Sequence, residues 1–235
     1  MKRMIAVYLV LFMLLSLTAL AAGEPDLTAT PEPGARWETV SSGAEVCSSS
    51  AGARYVHAWI EIRNTGDQPL YLDTTTFEIE DSEGDLGQVL DLVTAFPQVL
   101  MPGELGVYEE TARADEDLPD EGLAVVSRLD VKPAEVECVR YDVTGFKIKT
   151  DKQGNTTGKG RVENGTGEDA DGFIYVAALC YDREGAFMGT IWTIIMEEIP
   201  AGERQAFETG APVWKAHADD IAETVLYAYP DQFQW

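Results

Sequence analysis

The sequence is poor in the residues that most enzymes use for nucleophilic or metal-assisted chemistry. Its 235 residues include two histidines and three cysteines. No G-x-S-x-G, H-E-x-x-H or C-x-x-C pattern occurs, which argues against a serine-hydrolase elbow, a zinc-protease helix and a paired-cysteine zinc site. We therefore expect a protein that is not an enzyme and that binds no cofactor.

Basic residues are also scarce. There are 17 Lys and Arg against 41 Asp and Glu, which gives a formal net charge of −24. A field of that sign repels nucleic acid and anionic lipid, so neither is expected as a partner. Hydrophobic residues make up 45% of the chain, which indicates a globular protein and not a disordered acidic one.

One long apolar run is present, at the N-terminus. A basic start precedes an apolar stretch from residue 5 to 20, and residues 19–21 fit the small-x-small cleavage rule. Residues 1–22 are therefore predicted to be a signal peptide, which places the rest outside the cytoplasm, secreted or associated with the cell envelope. An uncleaved N-terminal segment is the alternative and the one expected contact with a membrane. Residues 23–36 contain three prolines and predict an extended linker.

The remaining chain contains an internal repeat of about 100 residues, a common size for a domain. Three landmarks recur at nearly one offset: Asn64 and Asn164, Asp81 and Asp182, and Gly103 and Gly202. The repeat predicts two domains, 37–140 and 141–235.

Short segments between the landmarks alternate polar and apolar residues with a period of two. In the segment 55–62, for example, Val56, Ala58, Ile60 and Ile62 are predicted to share one strand face. Similar strands follow at intervals closed by Gly, Pro and Asp turns, with 136–140 as the last strand of the first domain, and 213–224 is the one helical candidate. The pattern predicts an all-β fold of two tandem Ig-like antiparallel β-sandwich domains.

The second domain resembles a known family at its turn and core positions. These positions are Asn164 at a strand end, Tyr181, Asp182 and Gly185 in a hairpin, and Ile199, Pro200, Gly202, Glu203 and Phe207 around a late turn. They are similar to those of FxLYD-type Ig-like modules of exported bacterial proteins. The first domain matches more distantly, because its hairpin lacks the tyrosine. The resemblance implies an extracytoplasmic module without catalytic residues.

Two groups of residues are candidates for ligand binding. Tyr55, His57 and Trp59 alternate on one predicted strand face and offer rings for stacking on sugars, with packing against another strand or domain as the alternative. Asp169 and Asp171 offer the carboxylate oxygens that Ca²⁺ takes, although no further acid completes the spacing of a calcium loop.

Cys47 and Cys138 are predicted to form a disulfide, because the chain is exported and these residues lie near the two ends of the first domain. The chain-entropy model values such a closed loop at about 4 to 5 kcal/mol. Cys180 lies in an apolar run and is predicted to be a free, buried thiol. Three reduced cysteines are the alternative.

These observations predict a non-catalytic binding or interaction protein of the bacterial cell envelope, with an unknown protein or a cell-wall polymer as its partner. A calcium- or glycan-binding domain pair is a second hypothesis. A third is a hydrolase with an unrecognised pair of carboxylates among the many acidic residues.

Overall fold

The computed structural model describes residues 34–49, 52–152, 155–210 and 218–231. The predicted signal peptide, most of the predicted linker and residues 213–217 of the helical candidate lie outside these residues. The helix prediction is wrong for the described rest of 213–224, where residues 218–220 form a turn and a strand begins at Glu223. In the described part all regular structure is β-strand, arranged in antiparallel and sandwich-like sheets, so the all-β prediction is confirmed. No helix with the length and apolarity to cross a bilayer is found there.

The strands of the described part are short to medium in length. They are β1 (Trp37–Ser48), β2 (Arg54–Asn64), β3 (Leu70–Leu72), β4 (Thr75–Glu80), β5 (Leu86–Phe96), β6 (Val99–Leu100), β7 (Leu105–Arg113), β8 (Ala124–Val126), β9 (Val131–Pro133), β10 (Asp142–Thr150), β11 (Thr156–Glu163), β12 (Ile174–Tyr181), β13 (Phe187–Ile195), β14 (Arg204–Glu208) and β15 (Glu223–Pro230).

The order of strand pairing is similar in the first half (34–140) and the second half (141–231). The first half has a six-stranded sheet, β1-β2-β7-β5-β4-β8, and a small sheet, β6-β3-β9. The second half has two sheets, β10-β11-β14 and β13-β12-β15, which correspond to β1-β2-β7 and β5-β4-β8. The Leu70–Leu100 pair of the small sheet corresponds to a single bridge between Ala170 and Ile199.

The core of the first half is built from the alternation that the sequence predicts. Val56, Ala58, Ile60 and Ile62 on β2 are all fully buried, because successive residues of a strand point to opposite faces of the sheet. They pack with residues of β4, β5 and β7 in one cluster. A second cluster around Val162 on β11 forms the core of the second half.

Asn64 closes the strand end of β2 with its side chain. Its Nδ2 donates to the carbonyl oxygens of Gln68 and Leu100, each at 2.9 Å, and its Oδ1 accepts from the backbone N–H of Gly66. The backbone N–H of Gly103 in turn donates to the Asn64 carbonyl at 2.9 Å. A buried amide with three such bonds holds two loops together at one point.

Asn164 makes the same bonds in the second half. Its Nδ2 donates to the carbonyls of Glu168 and Ile199 at 2.9 and 2.8 Å, and its Oδ1 accepts from the N–H of Thr166. The N–H of Gly202 donates to the Asn164 carbonyl at 2.7 Å. The equivalence supports the predicted duplication, since unrelated turns would satisfy their backbone groups in different ways.

The central hairpins are equivalent as well. Asp81 Oδ1 accepts from two turn N–H groups, and Asp182 Oδ1 does the same at the equivalent hairpin of the second half. Gly84 and Gly185 follow with φ of 84° and 80°, a conformation that glycine adopts without strain.

The prediction of a closing strand at 136–140 is wrong, because the described chain has no strand there. Cys138 therefore does not end a strand beside Cys47. Cys47 pairs with Tyr55 on the neighbouring strand, whereas Cys138 lies two residues before Arg140, whose guanidinium contacts Glu104 at 3.2 Å.

This placement also overturns the predicted Cys47–Cys138 disulfide. Glu104 directly precedes β7, which begins opposite Arg63. The eight residues from Tyr55 to Arg63 span about 27 Å of strand, whereas the Cα atoms of bridged cysteines lie about 4.4 to 6.8 Å apart. Cys138 is a free, half-buried thiol, and Cys180 is a free, buried one, as predicted.

We expect Asn64→Ala and Asn164→Ala each to lower the free energy of unfolding by about 2 to 4 kcal/mol, because each leaves two buried carbonyls without their donor. Urea denaturation measures this loss. Asn155→Ala is the matched control, since Asn155 is exposed and its side-chain amide bonds only the Asp151 carboxylate. A loss no larger than that of the control would contradict the assigned role.

Candidate functional site at the junction of the two halves

One face of the β1-β2-β7 sheet turns charged and aromatic side chains toward the second half. His57, Trp59 and Glu61 on β2 point away from the core row, because they occupy the alternate positions of the strand. Glu109 on β7 lies directly opposite Trp59. His57, Glu61 and Glu109 are nevertheless only 0%, 3% and 8% exposed, because this face is covered.

His57 lies between two carboxylates. Its Nε2 is 2.8 Å from Glu109 Oε1 and its Nδ1 is 3.4 Å from Glu45 Oε1. Burial alone would lower the pKa of His57, but the hydrogen bonds and charges of Glu109 and Glu45 outweigh it and raise the pKa from 6.5 to about 9. The bond from His57 lowers the pKa of Glu45. The imidazole is therefore a cation at neutral pH and donates from both nitrogens.

The second half donates hydrogen bonds to the two buried carboxylates. The backbone N–H of Thr190 donates to Glu109 Oε1 at 3.0 Å. The Tyr181 hydroxyl donates to Glu61 Oε1 at 2.6 Å, and burial together with this carboxylate raises the pKa of Tyr181 far above its usual value. Ser41, from the first half, donates to the other oxygen of Glu61 at 3.0 Å.

Apolar side chains surround these polar contacts. The cluster that joins the halves contains Phe96 and Val107 from the first and Ala177, Leu179, Tyr181, Phe187, Tyr227 and Tyr229 from the second. The Trp59 ring is stacked on His57 at 5.1 Å and lies 6.0 Å from the Phe187 ring. A Cβ at position 43 would lie 2.6 Å from the Trp59 ring, so glycine at this position leaves room for the indole.

Arg140 lies where the chain passes from the first half to the second, and its side chain contacts both halves at the junction. Its Nη2 donates to the Val99 carbonyl at 2.5 Å and to Glu104 Oε2 at 3.2 Å. Its guanidinium lies over the rings of Tyr227 and Tyr229, 5.5 and 5.6 Å from their centres. A cation in this position attracts both the aromatic faces of one half and the carboxylate of the other.

The junction holds a charge pair and does not present it to solvent. The imidazolium of His57 and the carboxylates of Glu61 and Glu109 are buried and bonded within the protein. Four buried polar atoms of the junction have no hydrogen-bond partner among the described residues: Glu109 Oε2, Thr190 Oγ1, Trp59 Nε1 and Arg140 Nε. Such atoms cost stability, which argues that this arrangement serves to orient the halves.

The structure places two of the three ring candidates, His57 and Trp59, in this junction. His57 is buried and cannot stack on a sugar, and Trp59 packs between His57 and Phe187; these contacts match the packing alternative. Tyr55 is half-buried at the far end of β2. Sequence reasoning did not single out Glu45, Glu61 or Glu109, whose one signal is an acid at an alternate position of an apolar strand.

The calcium candidates are not brought together with other ligands. Asp169 Oδ1 accepts from the Ala201 N–H at 2.9 Å, and Asp171 is exposed. Across residues 34–49, 52–152, 155–210 and 218–231, no three His, Cys, Asp or Glu side chains converge as a metal ion requires.

Comparisons with known proteins give little. No protein-family model and no curated protein matches the chain. Among solved structures, the chain is similar to a β-glucuronidase of Bacteroides uniformis, with 11% identity, a TM-score of 0.21, and coverage of 77% of this chain and 28% of the other. It is also similar to β-glucuronidase 2 of that organism bound to cyclophellitol-6-carboxylate aziridine, with 13% identity, a TM-score of 0.20, and coverage of 71% and 23%. The chain thus spans about a quarter of their length. TM-scores this low give no information about activity in either direction.

We expect the free energy of unfolding to fall as the pH rises from about 6.5 to 9. The pKa of His57 is raised on folding, so the protonated ring stabilises the fold fully below its unfolded pKa and this stabilisation is lost as the pH passes the folded value of about 9. Two to three pKa units correspond to about 3 kcal/mol. Urea denaturation at stepped pH measures the loss. His57→Gln lacks this titration, so a wild-type profile parallel to that of His57→Gln would contradict the assignment.

We expect Tyr181→Phe to lower the free energy of unfolding by about 2 to 3 kcal/mol, because it removes a hydrogen-bond donor from the buried carboxyl group of Glu61. Tyr175→Phe is the matched control, since Tyr175 also lies on β12 and its ring is stacked on Tyr229. No hydrogen bond from its hydroxyl to a carboxylate is present among the described residues. Equal losses in both variants, measured by urea denaturation, would show that the Glu61 contact contributes nothing.

Proposed function

We propose that the protein is an exported, non-catalytic binding protein of the bacterial cell envelope, built from two tandem Ig-like modules of the FxLYD type. The leader at residues 1–22 supports export. The equivalent hydrogen bonds of Asn64 and Asn164 support the duplicated module.

The burial of the acid–base residues supports the non-catalytic part most directly. His57, Glu61 and Glu109 are the residues best suited by chemistry to proton transfer, and general acid–base catalysis requires contact with a substrate within hydrogen-bond distance. In this protein they bond other side chains of the first half and groups of the second half. They therefore act as a joint that holds two sheet units in one orientation and leaves other sheet faces open for a partner.

Export is tested on protein purified from the cells that make it. We expect N-terminal sequencing to begin at residue 22 or 23, and protease added to intact cells to reach the protein. An intact N-terminus on a protein that stays protected inside the cell would contradict export.

Binding is tested by co-sedimentation of the purified protein with envelopes of the source bacterium. We expect saturable sedimentation, with no soluble fragment released from the envelopes over time when the supernatant is followed by mass spectrometry. Failure to sediment would contradict the binding function. Release of fragments that increases with protein concentration would show a hydrolase instead.

A further inference from the structure

The outer face of the β10-β11-β14 sheet is basic in a protein whose net charge is −24. An open groove of about 550 Å³ crosses this face and is lined by Lys147, Lys149, Lys159 and Arg161 among others. All four side chains are exposed. The core side of the same sheet is apolar, with Val162 and Phe207 in the buried cluster.

The strand register arranges these cations in one diagonal line. Lys149 on β10 lies opposite Thr157, and Lys147 lies opposite Lys159 on β11. Two residues further along β11, Arg161 lies opposite Ala206. Arg204 on β14 continues the line, one row beyond. We call Lys147, Lys149, Lys159, Arg161 and Arg204 the cationic stripe.

The stripe has a regular spacing. Residues two apart on a strand are about 6.8 Å apart, and neighbouring strands are about 4.8 Å apart. Successive cations therefore follow one another at about 5 to 8 Å, and the line runs for about 22 Å across three strands. A linear chain with an anion at a similar interval fits this line better than a compact anion does.

The cations of the stripe are only partly neutralised within the protein. Lys159 pairs with Glu208 and Arg204 with Glu163, each at 2.9 Å. Lys147, Lys149 and Arg161 have no carboxylate within 4.0 Å among the described residues. Lys147 moreover lies directly across from Lys159, and like charges in that position destabilise a sheet. Folding alone gives no reason for this pair, whereas an anionic ligand does.

The equivalent face of the first half is the one that the second half covers. The strand pairing places Lys159 at the position of Trp59, Lys147 at that of Gly43, and Ala206 at that of Val107. The second half thus keeps the position of a docking face but lacks its aromatic and apolar anchors. Protein interfaces depend on such anchors, whereas binding of a polyanion needs only cations that release counterions.

We infer that the cationic stripe binds a linear, phosphodiester-linked polymer of the cell wall. This inference rests on the proposed function and names its ligand. A three-carbon phosphodiester repeat has six backbone bonds, which puts its charges about 7 Å apart, close to the spacing of the stripe. Single-stranded nucleic acid fits less well, because its bases need exposed aromatic platforms and the stripe has none.

The acidity of the whole chain does not oppose this binding at physiological salt. Charges further apart than about 8 Å are largely screened there, so a polymer lying on the stripe responds to the nearby cations. The net charge of −24 predicted that polyanions would be excluded. That prediction treated the surface charge as uniform, whereas the charges of this surface are segregated.

The test compares binding of synthetic poly(glycerol phosphate) of about ten units to the full chain and to two double variants. Lys147→Glu/Arg161→Glu reverses two unpaired cations of the stripe. Arg128→Glu/Arg183→Glu is the matched control, with the same change in net charge at exposed positions outside the stripe. We expect the stripe variant to bind at least tenfold more weakly than wild type, and the control to bind within about twofold. Wild-type affinity should fall with a log–log salt slope of about −2 to −4.

Folding is monitored separately by the melting temperature. The stripe variant is expected to melt no lower than wild type, because Lys147→Glu replaces a like-charge pair with an opposite-charge pair beside Lys159. Equal weakening in both variants, or no binding by wild type, would overturn the inference. Tighter binding of polyglutamate or single-stranded DNA than of the phosphate polymer would also overturn it.

Co-sedimentation with envelopes separates this inference from the proposed function. If wild type and the stripe variant sediment equally, the stripe is not the binding surface although the protein still binds the envelope. If only the stripe variant fails to sediment, the envelope ligand is bound by the stripe.

Discussion

The arrangement of the two halves depends on the burial of two carboxylates, Glu61 and Glu109. A buried carboxylate costs several kcal/mol unless hydrogen-bond donors and a positive charge compensate it. Here the donors come from both sides: His57 on the first half, and Tyr181 and the Thr190 backbone on the second. Separating or rotating the halves would strand a charge in apolar surroundings, so this requirement selects one relative orientation.

That orientation decides which surfaces remain open. The β1-β2-β7 face is used for the junction, and the β10-β11-β14 face, its equivalent in the repeat, is left to solvent. The two faces differ in chemistry at matching positions. The second half has Arg161 where the first has Glu61, and Lys159 where the first has Trp59. The two halves thus share one order of strand pairing, and their equivalent faces differ in chemistry.

Local patterns in the sequence predicted much of the fold. The alternation around Val56 and Ile60 depends on neighbouring residues, so its role can be read without knowing the tertiary structure. Asn64 and Asn164 mark strand ends in the sequence, but each also bonds a carbonyl 36 or 35 residues further on, which the sequence does not reveal. The site could not be predicted in this way. Glu61 and Tyr181 meet across 120 residues, and the failed pairing of Cys138 likewise depended on which end of a sheet it reaches. The overall composition also gave no sign that basic residues lie together on one face of the second half.

The contact between the halves joins two unlike surfaces, and contacts of that kind propagate when each unit carries both surfaces. A third unit could add to this chain only if β10-β11-β14 offered an apolar seat like that around Trp59. At the equivalent positions the second half has Lys147 and Lys159, whose charged side chains are exposed. The same cations therefore make the β10-β11-β14 face a poor match for the aromatic surface that the second half presents to the first.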